Sequence, residues 1–359
     1  MGEEEQRPEH FPALQHGYRI HKGSFEWAED VLKLLREAAG WMESKGIRQW
    51  TPGQFVEQDI QGYFTDREVY LALDGNALAG MFTLQFSDAQ YWGEQNDESY
   101  VYLHRLTVAQ THRGGGLGRQ MIGFAVLKAR ELGRKGLRLD TAAHNVKLNR
   151  YYQSMGFRYM GTRDVGEGRL VNLYEYGSAS GHSMRLRYMD ALDFGHLQRW
   201  SLSADFLKQW AGPSFTYPLD HKQLTNYLEG ANHPAESDKL IYCAVEGEEH
   251  QVVGHISLSA IDRANGSARI SRVIVDPAQQ GRGIGQRMIQ ELLRIAFDGL
   301  RLHRLSLGAF SFNQAALKCY ERAGFIREGI QREAALFGEN YIDCIQLSIL
   351  DREWRARKA

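Results

Sequence analysis

The spacing of apolar positions changes several times along this chain, and each change marks an element. Between Phe25 and Gly46, apolar residues fall at Trp27, Val31, Leu34, Leu35 and Ala38, the three-and-four spacing of an amphipathic helix. A shorter helix is predicted from Val56 to Phe64. VYLAL, a turn at Asp74-Gly75-Asn76, and LAGMFTLQF read as a β-hairpin. SYVYLHRLTV predicts a strand, GLGRQMIGFAVLKAREL a helix, LRLDTAA a strand and KLNRYYQSM a helix. FRYMGTR and LVNLYEY close this stretch as strands. The order then returns: MRLRYM, two helices near Phe194–Trp200 and Leu219–Leu228, and the hairpin LIYCAVE/VVGHISLSA. ARISRVIV, IGQRMIQELLRIAF, RLSLGAF, AALKCYERA and YIDCIQLSIL follow. Hairpins on one side and strand-helix-strand units on the other make a mixed-sheet α/β (α+β) arrangement.

The repetition extends to individual landmarks. Gly118 precedes Asn145 by 27 positions, and Gly285 precedes Asn313 by 28. Asn145 to Tyr152 and Asn313 to Tyr320 are both seven positions; Tyr152 to Gly156 and Tyr320 to Gly324 are both four. Such register implies two copies of one unit. The small, polar stretch Gly177–Ser183 (GSASGHS) reads as a linker. The expected organisation is a domain over residues 1–177, a linker over 178–182 and a second domain over 183–359.

Composition narrows the setting. The 359 residues suit two domains, and 43% hydrophobic with 24% charged residues is an ordinary globular balance. A formal net charge of −1 gives no global reason to expect nucleic acid or an anionic membrane as partner. No apolar run approaches the roughly 20 residues that cross a bilayer. The start, MGEEEQRPEH, lacks a signal peptide's apolar core, and Gln6 stands where a myristoylation signal has Ser or Thr. Three cysteines, Cys243, Cys319 and Cys344, without CxxC spacing argue against a disulfide framework or zinc site. No metal is expected, and the cytoplasm is the default compartment.

The candidate chemistry sits where a strand turns into a helix. Arg113-Gly114-Gly115-Gly116-Leu117-Gly118 and Gln280-Gly281-Arg282-Gly283-Ile284-Gly285 both occupy such a turn. A helix N-terminus offers unpaired N–H groups and a positive dipole end, and glycines let backbone wrap a diphosphate. A Walker loop would place Lys-Ser/Thr after its last Gly, but Arg119-Gln120 and Gln286-Arg287 follow here. A dinucleotide fold would place GxGxxG after the first strand. Several strands come first here, and no third Gly completes the pattern.

The pattern of Arg/Gln-x-x-Gly-x-Gly, then Asn, then Tyr-x-x-x-Gly-Phe resembles the GNAT superfamily of N-acetyltransferases. The resemblance covers both halves, with cores near residues 99–160 and 267–328. It implies two tandem GNAT-like acyl-CoA N-acyltransferase domains that use acetyl-CoA. In the family, the glycine turn binds the CoA pyrophosphate, and a bulged strand before it polarises the thioester carbonyl. The Asn contacts the pantetheine arm, and the Tyr protonates the departing thiolate. By resemblance the turn roles fall on Arg113, Gly114, Gly115, Gly116, Leu117 and Gly118, and on Gln280, Gly281, Arg282, Gly283, Ile284 and Gly285. Carbonyl contacts fall on Leu106 and Val108, and on Val273 and Val275. Asn145 and Asn313 would meet the pantetheine, and Tyr152 and Tyr320 would be the acids. Relatives often carry a Glu four positions before the strand's last Val. Here His104 and Ser271 stand there. A His can act as a base near neutral pH and a Ser cannot unaided. The second half is then left with water, Glu328 or Glu333.

The acceptor is less clearly written. SDAQYWGEQNDESY gathers Asp88, Glu94, Asp97 and Glu98 around Tyr91 and Trp92. Trp92, Asp97 and Glu98 are candidate contacts to a cationic amine, through ion pairs and cation–π contacts. A solvated acidic loop is the alternative. The first half resembles enzymes acting on small cationic amines such as aminoglycosides, and the second resembles the Rim-type branch. The function expected is acetylation of a primary amine on a small cationic metabolite or antibiotic, with a resistance or detoxification role in prospect. Acetylation of protein N-termini, a ribosomal protein or a polyamine is the alternative, as is a single catalytic copy beside a CoA-binding one. Partners are a small amine, with neither nucleic acid nor membrane, and the chain is a monomer or homodimer.

Overall fold

The computed structural model describes residues 17–47, 49–177, 184–247 and 250–358. The expected linker at 178–182 and the acidic N-terminal segment lie outside the described residues. Two compact units result, Met1–Phe157 with Arg163–Ser180, and Arg158–Thr162 with Gly181–Ala359.

The first half runs β1 (Arg19–Lys22), α1 (Ala28–Ser44), α2 (Glu57–Asp66), β2 (Glu68–Asp74), β3 (Ala77–Gln85) and α3 (Ala89–Trp92). β4 (Val101–Val108), α4 (Leu117–Glu131), β5 (Gly136–Ala142), α5 (Val146–Ser154), β6 (Arg158–Asp164) and β7 (Leu170–Gly177) follow. Its seven strands are ordered β1-β2-β3-β4-β5-β7-β6. The helical spacing read in α1 becomes its buried face: Val31, Leu34, Leu35 and Ala39 pack with Phe55, Ile60, Tyr63 and the sheet residues Val69, Leu71 and Met81.

The second half runs β8 (Arg185–Tyr188), α6 (Phe194–Trp200), α7 (Ala204–Ala211), α8 (His221–Leu228), β9 (Leu240–Glu246) and β10 (Gln251–Asp262). β11 (Ser267–Val275), α9 (Ile284–Leu293), β12 (Arg304–Phe310), α10 (Gln314–Ala323), β13 (Ile326–Phe337), β14 (Asn340–Leu350) and α11 (Asp351–Ala356) complete it. Its sheet order is β13-β14-β12-β11-β10-β9-β8. Where two helices are expected before the hairpin there are three. α7 is short, but Ser203 caps it by accepting from the Phe206 N–H at 3.1 Å, and it buries Leu207 and Ala211. β13 and α11 are likewise additions to the reading of the second half.

Two irregularities recur at equivalent places in the sheets. β4 and β5 pair in parallel only from Val101–Leu137 to Leu103–Leu139, although both strands continue. β11 and β12 pair only from Ser267–Arg304 to Arg269–Ser306. Just beyond, β4 carries one extra residue against β3: Thr83 opposes His104 and Met81 opposes Thr107. β11 does the same, with Ser257 opposite Ser271 and His255 opposite Ile274. At the extra residue, Arg105 and Arg272 have φ of 55° and 52°. A left-handed Arg costs on the order of 1–3 kcal/mol, so its presence in both sheets marks a place where backbone direction outweighs strain.

Candidate active site

The glycine turns are built alike. Gly114 and Gly116 have φ of 84° and 80°, and Gly281 and Gly283 have 82° and 72°. An added Cβ at any of these four would meet nothing within 4 Å, so glycine is needed for backbone conformation. α4's own ladder opens with the Arg119 N–H donating to Gly116 O at 3.0 Å, and the amides ahead of it belong to the turn. Gly115 is exposed in the same turn. Gly118 and Gly285 differ in having neighbours at ordinary contact distance. A Cβ on Gly118 would lie 3.4 Å from the Tyr151 hydroxyl and 3.7 Å from Val108 Cγ2; on Gly285, 3.7 Å from Val275 Cγ2 and 3.8 Å from Cys319 Sγ. Strand end, turn and following helix therefore converge in each half.

Four of the expected turn side chains are engaged within the protein. Leu117 and Ile284 are buried in the core and have only backbone to offer. Arg113 bends back, donating Nε–H to Val108 O at 3.2 Å with its guanidinium 4.1 Å from the Trp41 ring centre. Arg282 turns to Gln279 and lies 3.8 Å from Glu246. Gln280 is exposed on the turn.

Asn145 and Asn313 sit at the N-caps of α5 and α10, their Oδ1 atoms accepting from Leu148 N at 3.1 Å and Ala316 N at 3.2 Å. A pantetheine contact would fall to the amide nitrogens. Seven residues on, Tyr152 and Tyr320 lie buried against Phe157 and Phe325, ring centres 5.8 and 6.1 Å apart. Burial pushes both phenols up, so each keeps its proton at neutral pH. Leu106 and Val273 directly follow the left-handed arginines, and Val108 and Val275 end the strands, all on the stretch the neighbouring strand has left.

In the first half a cluster lies at the point of separation that the sequence only half announces. His104 Nε2 is 3.0 Å from Asp88 Oδ2 and its Nδ1 is 3.5 Å from Asp140 Oδ1. Asp88 Oδ2 and His104 Nε2 are buried and face each other without the alignment of a hydrogen bond. Asp88 also starts α3, where its Oδ1 accepts from Tyr91 N at 3.3 Å, and the Tyr91 ring lies 5.6 Å from the imidazole. Burial pushes the Asp140 carboxyl up to about 6, against the opposing pull of His104, Arg105 and Arg169. The three residues offer ligand atoms within 4.8 Å of one another, a spacing that also suits a divalent cation. Asp140 is the polar position of a buried strand, LRLDTAA, and spacing alone does not mark it as a site residue.

Of the expected acceptor contacts, Trp92 needs correction. Trp92 is 1% exposed, closed in by Tyr102 and by the Arg138 guanidinium 4.4 Å from its ring centre. It is a core residue. Asp97 Oδ1 accepts from Ser99 N at 2.9 Å and Ser99 Oγ at 2.6 Å, and its other oxygen lies 3.3 Å from Lys135 Nζ. These bonds hold its carboxyl down at about 2 and shape the loop. Glu98 is exposed and contributes its carbonyl to Arg134.

The second half differs at the matching positions. Ser271 Oγ lies 3.1 Å from Ser257 Oγ and 2.9 Å from Ser259 Oγ. Of the two suggested carboxylates, that of Glu328 is already engaged. Glu328 accepts from Arg304 at 2.8 and 2.6 Å and from Ser348 at 2.7 Å, which hold it down at about 2. Glu333 is exposed on β13, its amide donating to Asp343. His255, not anticipated, is fully buried 3.3 Å from the Tyr227 hydroxyl, and burial pushes it down to about 3.

The profile of the acetyltransferase (GNAT) family matches residues 35–157 and again 204–325. The chain belongs to that family. Both halves carry the fold, and the protein is an acetyl-CoA-dependent N-acetyltransferase acting on amines. It is 30% identical over 157 residues to the uncharacterized N-acetyltransferase YesJ of Bacillus subtilis, covering 42% of this chain and 87% of that one. It is 29% identical over 113 residues to a spermidine N(1)-acetyltransferase of Vibrio cholerae, covering 32% and 65%. A crystal structure of spermidine N-acetyltransferase from Vibrio cholerae with CoA and spermine aligns at a TM-score of 0.43 and 22% identity, over 48% of this chain and 98% of that one. Among the described residues no helix is long and apolar enough to cross a membrane.

Proposed function

We propose that the first half acetylates a primary amine on a small cationic molecule, and that the Asp88–His104–Asp140 cluster recognises and deprotonates it. The observation that carries this reading is the buried Asp88 Oδ2, which lies beside His104 and lacks an aligned donor. A buried carboxylate oxygen without a donor costs free energy that an ammonium N–H recovers. Polyamines fit this chemistry, and relatives of the chain from Vibrio cholerae and Escherichia coli are named spermidine N(1)-acetyltransferases. Aminoglycoside-like antibiotics share it. The Rim-type resemblance of the second half belongs to the same reading, with acetylation of protein N-termini its alternative.

The residues fit acetyl-CoA: open glycine amides at a helix start, a strand edge freed by separation, and a protonated phenol. Bound there, acetyl-CoA supplies an acetyl thioester. The turn amides of Gly114–Gly118 and Gly281–Gly285 hold the diphosphate. The bulge backbone at Leu106–Val108 and Val273–Val275 donates to the thioester oxygen. His104 takes one proton from the acceptor ammonium, the freed nitrogen bonds to the acetyl carbon, and the carbon–sulfur bond breaks. Tyr152 gives its proton to the sulfur and regains one from the second proton that the nitrogen sheds as the amide forms; Tyr320 does the same in the second half, where water receives the first ammonium proton.

Steady-state kinetics on an amine panel tests the recognition. Asp88→Asn and Asp140→Asn should each raise KM for a polyamine roughly 10- to 100-fold, the weight of a charged hydrogen bond. Acetyl-CoA KM should hold. Unchanged polyamine KM in both variants would remove the cluster from acceptor recognition.

A further inference from the structure

The second half presents the opposite charge at the position where the first half presents carboxylates. By the landmarks shared between halves, Gly308 on β12 stands where Asp140 stands on β5, and Ser271 where His104 stands. An added Cβ on Gly308 would lie 2.6 Å from Arg269 Nη2 and 2.9 Å from Gln346 Nε2. The Arg269 guanidinium therefore fills the space of the missing carboxylate. Its Nη1 donates to Gln346 Oε1 at 3.2 Å, a neutral partner. Arg272, next to Ser271, lies 4.6 Å from the Tyr227 ring centre and 5.5 Å from that of Phe215, and Nη2 donates to Ser214 Oγ at 2.9 Å. Its Nε is buried without a hydrogen-bond partner. Neither Arg269 nor Arg272 forms an ion pair among the described residues. The carboxylate of Glu328 is engaged by Arg304 and Ser348. The hydroxyls of Ser257 and Ser259 lie 3.1 and 2.9 Å from that of Ser271.

We infer that the acceptor of the second half is a small amine that also carries a carboxylate, held by Arg269. This rests on the reading that the second half transfers acetyl. A planar guanidinium with free N–H groups matches a carboxylate in a two-bond fork. A polycation would instead be placed against the Arg269 guanidinium, which has no carboxylate partner among the described residues, where like charge is penalised. The same field explains how this half works without a base at Ser271. Neighbouring positive charge lowers the acceptor ammonium's pKa, so water suffices as proton acceptor. The bond changes are those of the first half: the ammonium gives its first proton to water, nitrogen joins the acetyl carbon, carbon–sulfur breaks, Tyr320 protonates sulfur, and the nitrogen's second proton restores the Tyr320 phenol.

The test uses the full chain with Tyr152→Phe and His104→Gln to suppress the first half. Acetylated products are identified by mass spectrometry and CoA thiol release is followed, with glycine, L-alanine and L-glutamate set against ethylamine, putrescine, spermidine and O-phosphoethanolamine. Amino acids should be acetylated, and the uncharged-chain and polycationic amines should not. Arg269→Gln should raise amino-acid KM roughly 10- to 100-fold with kcat little changed, and Arg269→Lys should recover part of the loss. Calorimetric acetyl-CoA binding, unchanged in both variants, shows that the site is still folded. Turnover of putrescine or spermidine matching that of amino acids, or an unmoved KM in Arg269→Gln, would overturn the inference while leaving acetyl transfer standing. Preference for O-phosphoethanolamine would overturn the carboxylate in favour of a phosphate. Acetyl-CoA binding without acetylation of any amine would overturn the underlying reading and the inference with it.

Discussion

Tyr152 and Tyr320 keep their protons because burial disfavours the phenolate, which is what a donor to sulfur requires. Tyr152→Phe and Tyr320→Phe should each lower kcat of one half about 10²- to 10⁴-fold, measured with acceptors that separate the halves. Unchanged turnover in both would make them packing residues. Asp140 adds a pH dependence. Its folded value of about 6 lies above the model-peptide value of 3.8. Between those values the folded chain holds a proton that the unfolded chain releases. This group therefore favours folding at low pH, and that contribution is lost as pH rises through about 6. Activity moves the other way: kcat/KM for a cationic acceptor should fall as pH drops through about 6, as the carboxylate is neutralised. Asp140→Asn should flatten that limb, and the same limb persisting in the variant would exclude Asp140. His104→Gln should lower the rate across the whole range. The glycine turns, Asn145 and Tyr152 were legible because their spacing is local. The pairing of Asp88, His104 and Asp140 was not, because three separate segments supply it and only the fold brings them within 4.8 Å. Trp92 misled because an aromatic in a polar segment looks exposed, whereas Tyr102 and Arg138 enclose it.

Among the elements, the paired bulges and separations of β4/β5 and β11/β12 position the chemistry, and neither shows in hydrophobic periodicity. A one-residue insertion leaves alternation intact on either side of it. Short α7 escaped notice for a related reason, since two helical turns give few periodic positions. The halves also brace α5 and α10 differently. Asn149 is fully buried, donating to Ala142 O and Asn145 O at 3.0 and 2.8 Å and accepting from Asn172 and Tyr174 at 2.7 and 2.8 Å. Leu317 takes the matching place and packs in an apolar core. Asn149→Leu breaks four hydrogen bonds and removes the acceptor shared by Asn172 and Tyr174. It should destabilise the first half by about 2–4 kcal/mol, read as an earlier unfolding transition in denaturant. A change within about 0.5 kcal/mol, the range of inconsequential surface substitutions, would show that the network is replaceable by packing.

At the scale of the molecule, one chain carries the glycine turn twice, and the proposed reading makes the acceptor side acidic in one half and basic in the other. A net charge of −1 conceals this division, because the opposite charges lie in different sites. The central claim is that both turns are working acetyl-CoA sites. Isothermal titration calorimetry of acetyl-CoA into the intact chain measures it directly. A stoichiometry near two per chain is expected, falling to one with Gly116→Val and to one with Gly283→Val, because valine cannot hold the left-handed backbone that each turn requires. A stoichiometry of one in the intact chain, unchanged by one of these substitutions, would contradict the account for the half that carries it.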